Sequence, residues 1–325
     1  SDYMFGYNHS TGYSMIAYVC AYLRYYHPIE FLTSFLNNAG NESDTTSGTE
    51  LAKQLGINIK PVRFRYSKSG YELDKKSNSI YKGIQSIKFC NEAIADELYA
   101  IRNNQYKTFI DLLRDITDKT SVNSKQLNIL VKLDFFSEFG NAKYLDAVLE
   151  YFNFFKQGES KSVSKEKLHT FAESKDGEGH IIESIVKRNS KETEKQFSKL
   201  DTHEILSEIL LYIKSFNIAD YTIREKITHQ MEFLGYVNMQ SGDVEDRTKL
   251  IVLSIKALKN KTNKRIWAYS LECTSLGTGK KSRLTLMSNI FDKKPLDKYS
   301  IIQTEPKYLS KKNGYWYLNF YKLTG

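Results

Sequence analysis

Residues 5–31, FGYNHSTGYSMIAYVCAYLRYYHPIEF, pass from a polar, aromatic and glycine-bearing stretch straight into an aromatic helix. The run His9-Ser10-Thr11-Gly12-Tyr13 follows no core-building pattern and reads as a functional surface laid on a helix start. Beyond it, Met15, Val19, Tyr22, Phe31 and Phe35 recur at spacings of three and four, and Pro28 interrupts the run, which predicts a pair of helices. The following NNAGNESDTTS, residues 37–47, is polar and reads as a loop, with Thr49 capping a short helix from Glu50 to Leu55 that Gly56 stops. Residues 56–68, GINIKPVRFRYSK, read as an extended connector because Pro61 forbids a helix there.

Helical spacing returns in YKGIQSIKFCNEAIADELYAIRNNQYKTFIDLLRDI, residues 81–116, and again from Val122 to Phe135. From Lys156 to Leu200 the composition shifts to Lys, Ser, Glu and Gly with few apolar residues, which reads as a linker or mobile insertion. After Ser241-Gly242-Asp243 the period changes to alternation, marking a domain boundary near residue 247. Five strands are expected: 250–258, 265–273, 282–289, 301–308 and 315–322, with a loop or short helix at 292–298 between the third and fourth. That order suits an OB-fold, a five-stranded barrel that binds oligonucleotides. The expected class is therefore multidomain α+β, mostly α-helical through its first two thirds and closed by a five-stranded OB-fold β-barrel.

Composition sets the bounds on function. A chain of 325 residues exceeds one ordinary core, and a net charge of +9 with 47 Lys+Arg spread along it raises the expectation of a polyanionic partner. Cys20, Cys90 and Cys273 stand far apart with no CxxC pair, which supports neither a disulfide framework nor a zinc site and fits a reducing cytoplasm. No apolar run approaches the ~18 residues of a membrane span. Carboxylate pairs such as Glu92 with Asp96 and Glu204 with Glu208 lie at helical spacing and read as solvated faces rather than a two-metal centre. The histidines show no metal-binding spacing, and neither a Walker-type loop nor a Gly-x-Ser-x-Gly elbow occurs.

The opening segment resembles the F-N-K-S-H-S-x-x-Y-x-x-x-x-Y-x-x-A-Y-L-K-x-x-x-P-x-E-F signature in the fingers of bacterial replicative DNA polymerase III alpha subunits. Phe5, His9, Ser10, Tyr13, Tyr18, Ala21, Tyr22, Leu23, Pro28, Glu30 and Phe31 match it, whereas Tyr7 stands where the family has lysine. Gly83, Ile87, Lys88 and Glu92 match the family's G-L-G-A-I-K-G-V-G-E helix-hairpin-helix, and residues 122–135 resemble its V-N-K-R-x-L-E-x-L-I-x-A-G-A-F-D region. The resemblance implies four regions: the end of a fingers domain at 1–68, a helix-hairpin-helix region at 69–155, linker and helices with a clamp-binding stretch at 156–246, and the OB-fold at 247–325. It also implies that the palm carboxylates lie outside this stretch, with Mg2+ expected at the palm of a complete polymerase and no cofactor in this chain.

Site residues follow from the same comparison. His9, Ser10 and Arg24 would border the nucleotide or template, since hydroxyl and cationic groups suit phosphate oxygens. Gly83, Ser86, Lys88 and Asn91 would form the DNA-facing hairpin; Phe89 replaces its first glycine and tolerates positive φ poorly, whereas Asn91 can adopt it at modest cost, so a purely structural hairpin is an equal alternative to phosphate capture. Asn123 and Lys125 at the next helix start suit a phosphate contact equally with a helix cap beside a solvated lysine. On the barrel, Trp267, Tyr269, Tyr315 and Tyr317 offer stacking surfaces, about half of them core, and Lys256, Lys259, Lys264, Arg265 and Arg283 offer a basic track. Gln196, Phe197 and Leu200 form a partial match to the sliding-clamp peptide, against the plainer reading of a linker entering a helix. The expected function is DNA gripping and single-strand guidance in a cytoplasmic replicative polymerase, bacterial or phage-encoded. Expected partners are primer-template duplex, single-stranded DNA, a palm-bearing polymerase portion and a sliding clamp. The alternative is a standalone non-catalytic DNA-binding or clamp-tethering accessory.

Overall fold

The structure is a computed structural model that describes residues 6–40, 42–155, 162–175, 179–235, 237, 248–260, 262–277 and 279–324. The chain divides into two compact units, Ser1–Asp220 and Tyr221–Gly325. The boundary expected near residue 247 lies outside the described residues.

The first unit opens with helices α1 (Tyr7–Tyr26) and α2 (Pro28–Asn37). Pro28 at the first position of α2 explains the junction, because a helix start has no use for the missing N–H. Helix α3 (Glu42–Gln54) begins earlier than the sequence implies: Thr49 lies inside it, its hydroxyl donating to the Thr45 carbonyl at 2.8 Å rather than capping an end. Gly48 accounts for the close approach of α3 to α2, since a Cβ there would sit 2.8 Å from a methyl of Leu36. Gly56, at φ 69°, ends that segment as expected.

Strands β1 (Asn58–Lys60), β2 (Glu72–Asp74) and β3 (Ser79–Tyr81) form a small sheet in the order β1-β3-β2, with β1 parallel and β2 antiparallel to β3. Ile80 of β3 is fully buried with Ile29, Leu32, Leu36, Ala52 and Ile57, so sheet and helix pair share one core. Next come a 3-10 turn (Ile84–Ser86), α4 (Glu92–Ala100), α5 (Phe109–Lys119), α6 (Ser124–Lys132) and α7 (Ala142–Phe155). Their core is aromatic at its centre, with Phe136 touching the rings of Phe64, Phe109 and Phe135.

The polar stretch expected as linker is ordered over its described part. It holds β4 (Ser162–Ser164), α8 (Lys165–Glu173), α9 (Gly179–Arg188), β5 (Lys191–Glu192) and β6 (Gln196–Ser198), followed by α10 (Thr202–Ser215). Its few apolar residues are spaced to meet: Leu168, Ala172, Ile182, Ile185, Val186 and Phe197 are all buried. A sparse composition hid a small core.

In the second unit, α11 (Ile223–Phe233) buries Ile227 against Ile251, Leu276 and Ile301 of the sheet region. The sheet comprises β7 (Lys249–Lys259), β8 (Ile266–Ser275), β9 (Lys281–Met287), β10 (Ile301–Gln303), β11 (Leu309–Lys312), β12 (Tyr315–Leu318) and β13 (Lys322–Leu323). Its order is β11-β12-β9-β8-β7-β10-β13, antiparallel except for the parallel pair β9 and β12. The first three strands lie where alternation put them. The expected fourth, 301–308, breaks after Gln303, because Pro306 starts a 3-10 turn (Pro306–Tyr308) and offers no ladder N–H. A four-residue helix, Ser288–Phe291, follows β9.

Truncation of Phe197 tests whether the 162–200 segment is folded. Phe197→Ala is expected to lower unfolding free energy by about 3–5 kcal/mol in a denaturant titration, whereas a residue in a linker would cost almost nothing.

Candidate nucleic-acid interface

The hairpin between the 3-10 turn and α4 is built from its backbone outward. Gly83 sits against the chain at Ser69 and Gly70, where a Cβ would come within 2.2 Å of the Ser69 carbonyl oxygen. Two backbone bonds seal that contact: Ile84 N–H donates to Lys68 O at 2.9 Å and Gln85 N–H to Ser69 O at 3.1 Å. The Ser86 hydroxyl turns inward and donates to Gly83 O at 2.7 Å. Gly83 is buried and Ser86 half-buried, so both shape the hairpin from within.

The chain reverses at Phe89, whose φ is 69°, while Asn91 is extended at φ −119°. The left-handed position thus falls on the residue that tolerates it poorly and not on Asn91, which could adopt it at modest cost. Asn91 is the N-cap of α4, its side chain accepting from Ile94 N–H at 3.0 Å, and an N-cap needs extended backbone. The reversal must then be completed before it, and it falls on an exposed phenylalanine at a strain cost on the order of 1–3 kcal/mol.

The start of α6 meets this hairpin. Asn123 and Gln126 form a capping box: Asn123 Oδ1 accepts from Gln126 N–H at 3.0 Å, and Gln126 Oε1 accepts from Asn123 N–H at 2.9 Å. The same Gln126 donates from Nε2 to Phe89 O at 2.9 Å, and the Lys125 ammonium lies 3.7 Å from the centre of the Phe89 ring. Glu97 of α4 accepts from Ser121 N–H at 2.7 Å, tying α4 to the turn before α6. Lys88, Asn91, Asn123 and Lys125 are exposed around this junction of two helix N-termini, whose partial positive charge favours anions.

Two neighbouring groups are shifted by burial. Lys82 is only 8% exposed, and burial pushes its amine down to about 8. Burial also pushes the Cys90 thiol up to about 11, so it is a weak nucleophile.

The other expected site residues are dispersed. His9, Ser10 and Arg24 are exposed on α1, but about 14 residues of helix rise part Ser10 from Arg24 by roughly 20 Å. In the second unit, Lys256, Lys259, Lys264 and Arg265 are exposed, whereas Arg283 is exposed but paired with Glu272 at 2.9 Å. Trp267 and Tyr315 are exposed. Tyr269 packs on the sheet core with Phe291 stacked on its ring at 3.9 Å, which leaves that face unavailable to a base, and Tyr317 is half-buried.

Phe197 and Leu200 are buried, and Phe197 lies on the central strand of the β4-β6-β5 sheet with only Gln196 exposed beside it. A clamp pocket needs its apolar plug free, so the Gln196-Phe197-Leu200 candidate is withdrawn. Phe89 as an exposed reversal and Gln126 as its brace were not read from sequence. The signal available was the aromatic standing at a position where the resembling motif has glycine.

Known proteins resemble this chain over part of its length. A helix-hairpin-helix motif matches residues 56–144. DNA polymerase III subunit alpha of Ureaplasma parvum is 30% identical over 142 residues, covering 43% of this chain and 15% of the relative. The corresponding subunit of Staphylococcus aureus is 32% identical over 148 residues, 44% of this chain and 13% of the relative. That of Treponema pallidum is 29% identical over 159 residues, 46% and 13% respectively. Over less than half of its length this chain shows distant homology to DNA polymerase III alpha subunits. The matched stretch spans no more than 15% of the length of these DNA polymerase III alpha relatives.

Two substitutions test the hairpin's construction. Gly83→Ala is expected to destabilise the protein by at least the ~1–3 kcal/mol typical of overpacking, since backbone atoms cannot yield to the new methyl. For Lys82 the native amine is held near 8 against 10.5 for a free lysine. Between those values the unfolded chain binds the extra proton, so stability rises with pH across that window. Lys82→Met is expected to flatten that rise in unfolding curves recorded from pH 7.5 to 10.5.

Proposed function

We propose that this chain is a DNA-gripping part of a replicative polymerase of the DNA polymerase III alpha kind. The hairpin at 87–91 and the start of α6 would hold the duplex backbone through Lys88, Lys125 and the two helix N-termini. The observation that carries this reading is the convergence of those N-termini and lysines on one exposed surface, within the stretch matched by the helix-hairpin-helix motif. The net charge of +9 is in keeping with it. In this reading the palm carboxylates and the Mg2+ they would hold belong to the rest of such a polymerase.

Helix α1 supports a polymerase partner. Tyr13, Met15, Ile16, Tyr18, Val19, Tyr22 and Tyr25 are each at least 47% exposed, and they occupy most of its circumference. A helix apolar over so much of its surface belongs inside a larger body. We read α1 to α3 as the end of a fingers domain whose apolar helix packs against the palm-bearing portion, with His9 and Ser10 at its N-terminal end.

We read the second unit as an OB-type barrel that guides single-stranded DNA. Support comes from the strand order β7-β8-β9-β12-β11, the parallel β9 and β12 pair and the antiparallel β7 and β10 pair. On this view β10 and β11 are two halves of one strand interrupted by Pro306. Trp267, Tyr315 and Tyr317 would offer stacking surfaces, and Lys256, Lys259, Lys264 and Arg265 a basic track.

The test is a titration of primed and single-stranded DNA across salt. Affinity for primed DNA is expected to fall steeply on a log–log plot, and Lys88→Ala and Lys125→Ala to reduce the slope by about one each. Weak binding that barely responds to salt would overturn the reading.

A further inference from the structure

Phe89 is an anomaly that folding does not explain. Non-glycine residues at positive φ among the described residues are chiefly Asn, Asp, Lys and Arg, with Phe89 and Tyr299 the aromatic exceptions. Tyr299 packs against the core formed by Ile227, Ile251, Leu276 and Ile301. Phe89, in contrast, is 60% exposed, so burial offsets neither its strain nor its apolar surface. Glycine would make the same reversal without steric strain.

The ring is nevertheless held in place. Gln126 grips the Phe89 carbonyl at 2.9 Å, and the Lys125 ammonium stands 3.7 Å from the ring centre. Lys88 precedes it on the exposed hairpin. A strained, outward and braced aromatic ring beside cations matches a ligand that is flat on one side and anionic on the other. A nucleotide has that chemistry. Bases within a continuous duplex already have both faces stacked, so only an unpaired or terminal base presents a free face to a ring.

We propose that Phe89 is a stacking residue for an unpaired nucleobase, making this hairpin selective for DNA in which duplex adjoins an unpaired base. Lys125 then serves two partners, steadying the ring and facing the adjoining phosphate. The inference rests on the proposed DNA-gripping function and adds a structural preference to it.

The experiment uses the full chain with two DNAs of equal length and charge, one fully paired and one carrying an unpaired 2-aminopurine within the duplex. Wild-type protein is expected to quench the 2-aminopurine and to bind that DNA more tightly than the paired one. Phe89→Gly, which relieves the backbone rather than burdening it, is expected to lose most of the preference, by roughly 5- to 150-fold, the range for one stacked base. Its salt slope should be unchanged, because phosphate contacts remain, and Phe89→Trp should retain the preference. Salt-dependent binding with no preference in the wild type, or a preference that survives in Phe89→Gly, overturns the stacking role alone. Such a result would leave the ring as a contact for a protein partner. Failure of the wild type to bind any DNA in a salt-dependent way overturns this inference together with the function on which it rests.

Discussion

The contact of Gly83 with the backbone of Ser69 and Gly70 is the constraint on which the rest of the interface depends. Lacking a Cβ, Gly83 lets two chain segments close to a distance no side chain would permit, and the bonds from Ile84 and Gln85 then lock the 3-10 turn onto residues 68–69. The same loop is clasped from the other side by Asn37, whose amide accepts from Tyr71 N–H at 2.7 Å and donates to Tyr71 O at 2.9 Å. Gly70 is needed there too, since a Cβ would lie 2.4 Å from the Asn37 side-chain oxygen. A continuous path of contacts thus runs from the end of α2 through residues 69–71 to the hairpin. Two of its steps, at Gly70 and Gly83, require that no side chain be present.

On that base the interface is assembled from capping chemistry. Asn91 caps α4 and Asn123 with Gln126 caps α6, so each helix directs its positive end outward with its cap in place. Gln126 has a double duty: its oxygen closes the capping box while its amide nitrogen holds the Phe89 carbonyl. One side chain therefore couples the helix start to the strained reversal. Relaxing either end would loosen the other, and the orientation of Lys125 over the ring depends on both.

Much of the architecture was legible in the chain itself. Pro28 marked the helix junction, Gly56 marked a helix end, and alternation placed β7, β8 and β9 closely. The misreadings share a physical origin. Residues 162–200 have few apolar side chains, but Leu168, Ile182, Ile185 and Phe197 are spaced so that all are used, and composition is blind to that economy. The first part of the helix containing Thr49 looked like a loop because its polar residues are poor helix formers; close packing of Gly48 on Leu36 overrides propensity. The clamp-peptide match failed because a linear motif says nothing of burial, and strand pairing on both sides of Phe197 removed it from solvent.

Taken alone, the sequence determined the class of the chain, the helical period of its first part, the alternating period of its last and the positions of Lys88, Asn123 and Lys125 on local elements. These depend on interactions within a few residues, which neighbouring side chains specify directly. Tertiary structure decided which of those residues meet. It set Gly83 against residues 69 and 70, stacked Phe291 on Tyr269, and brought Lys125 to a reversal 36 positions earlier in the chain. Such pairings are set by the closing of loops on a shared core and by steric exclusion between distant backbone segments, neither of which leaves a periodic trace in the order of amino acids.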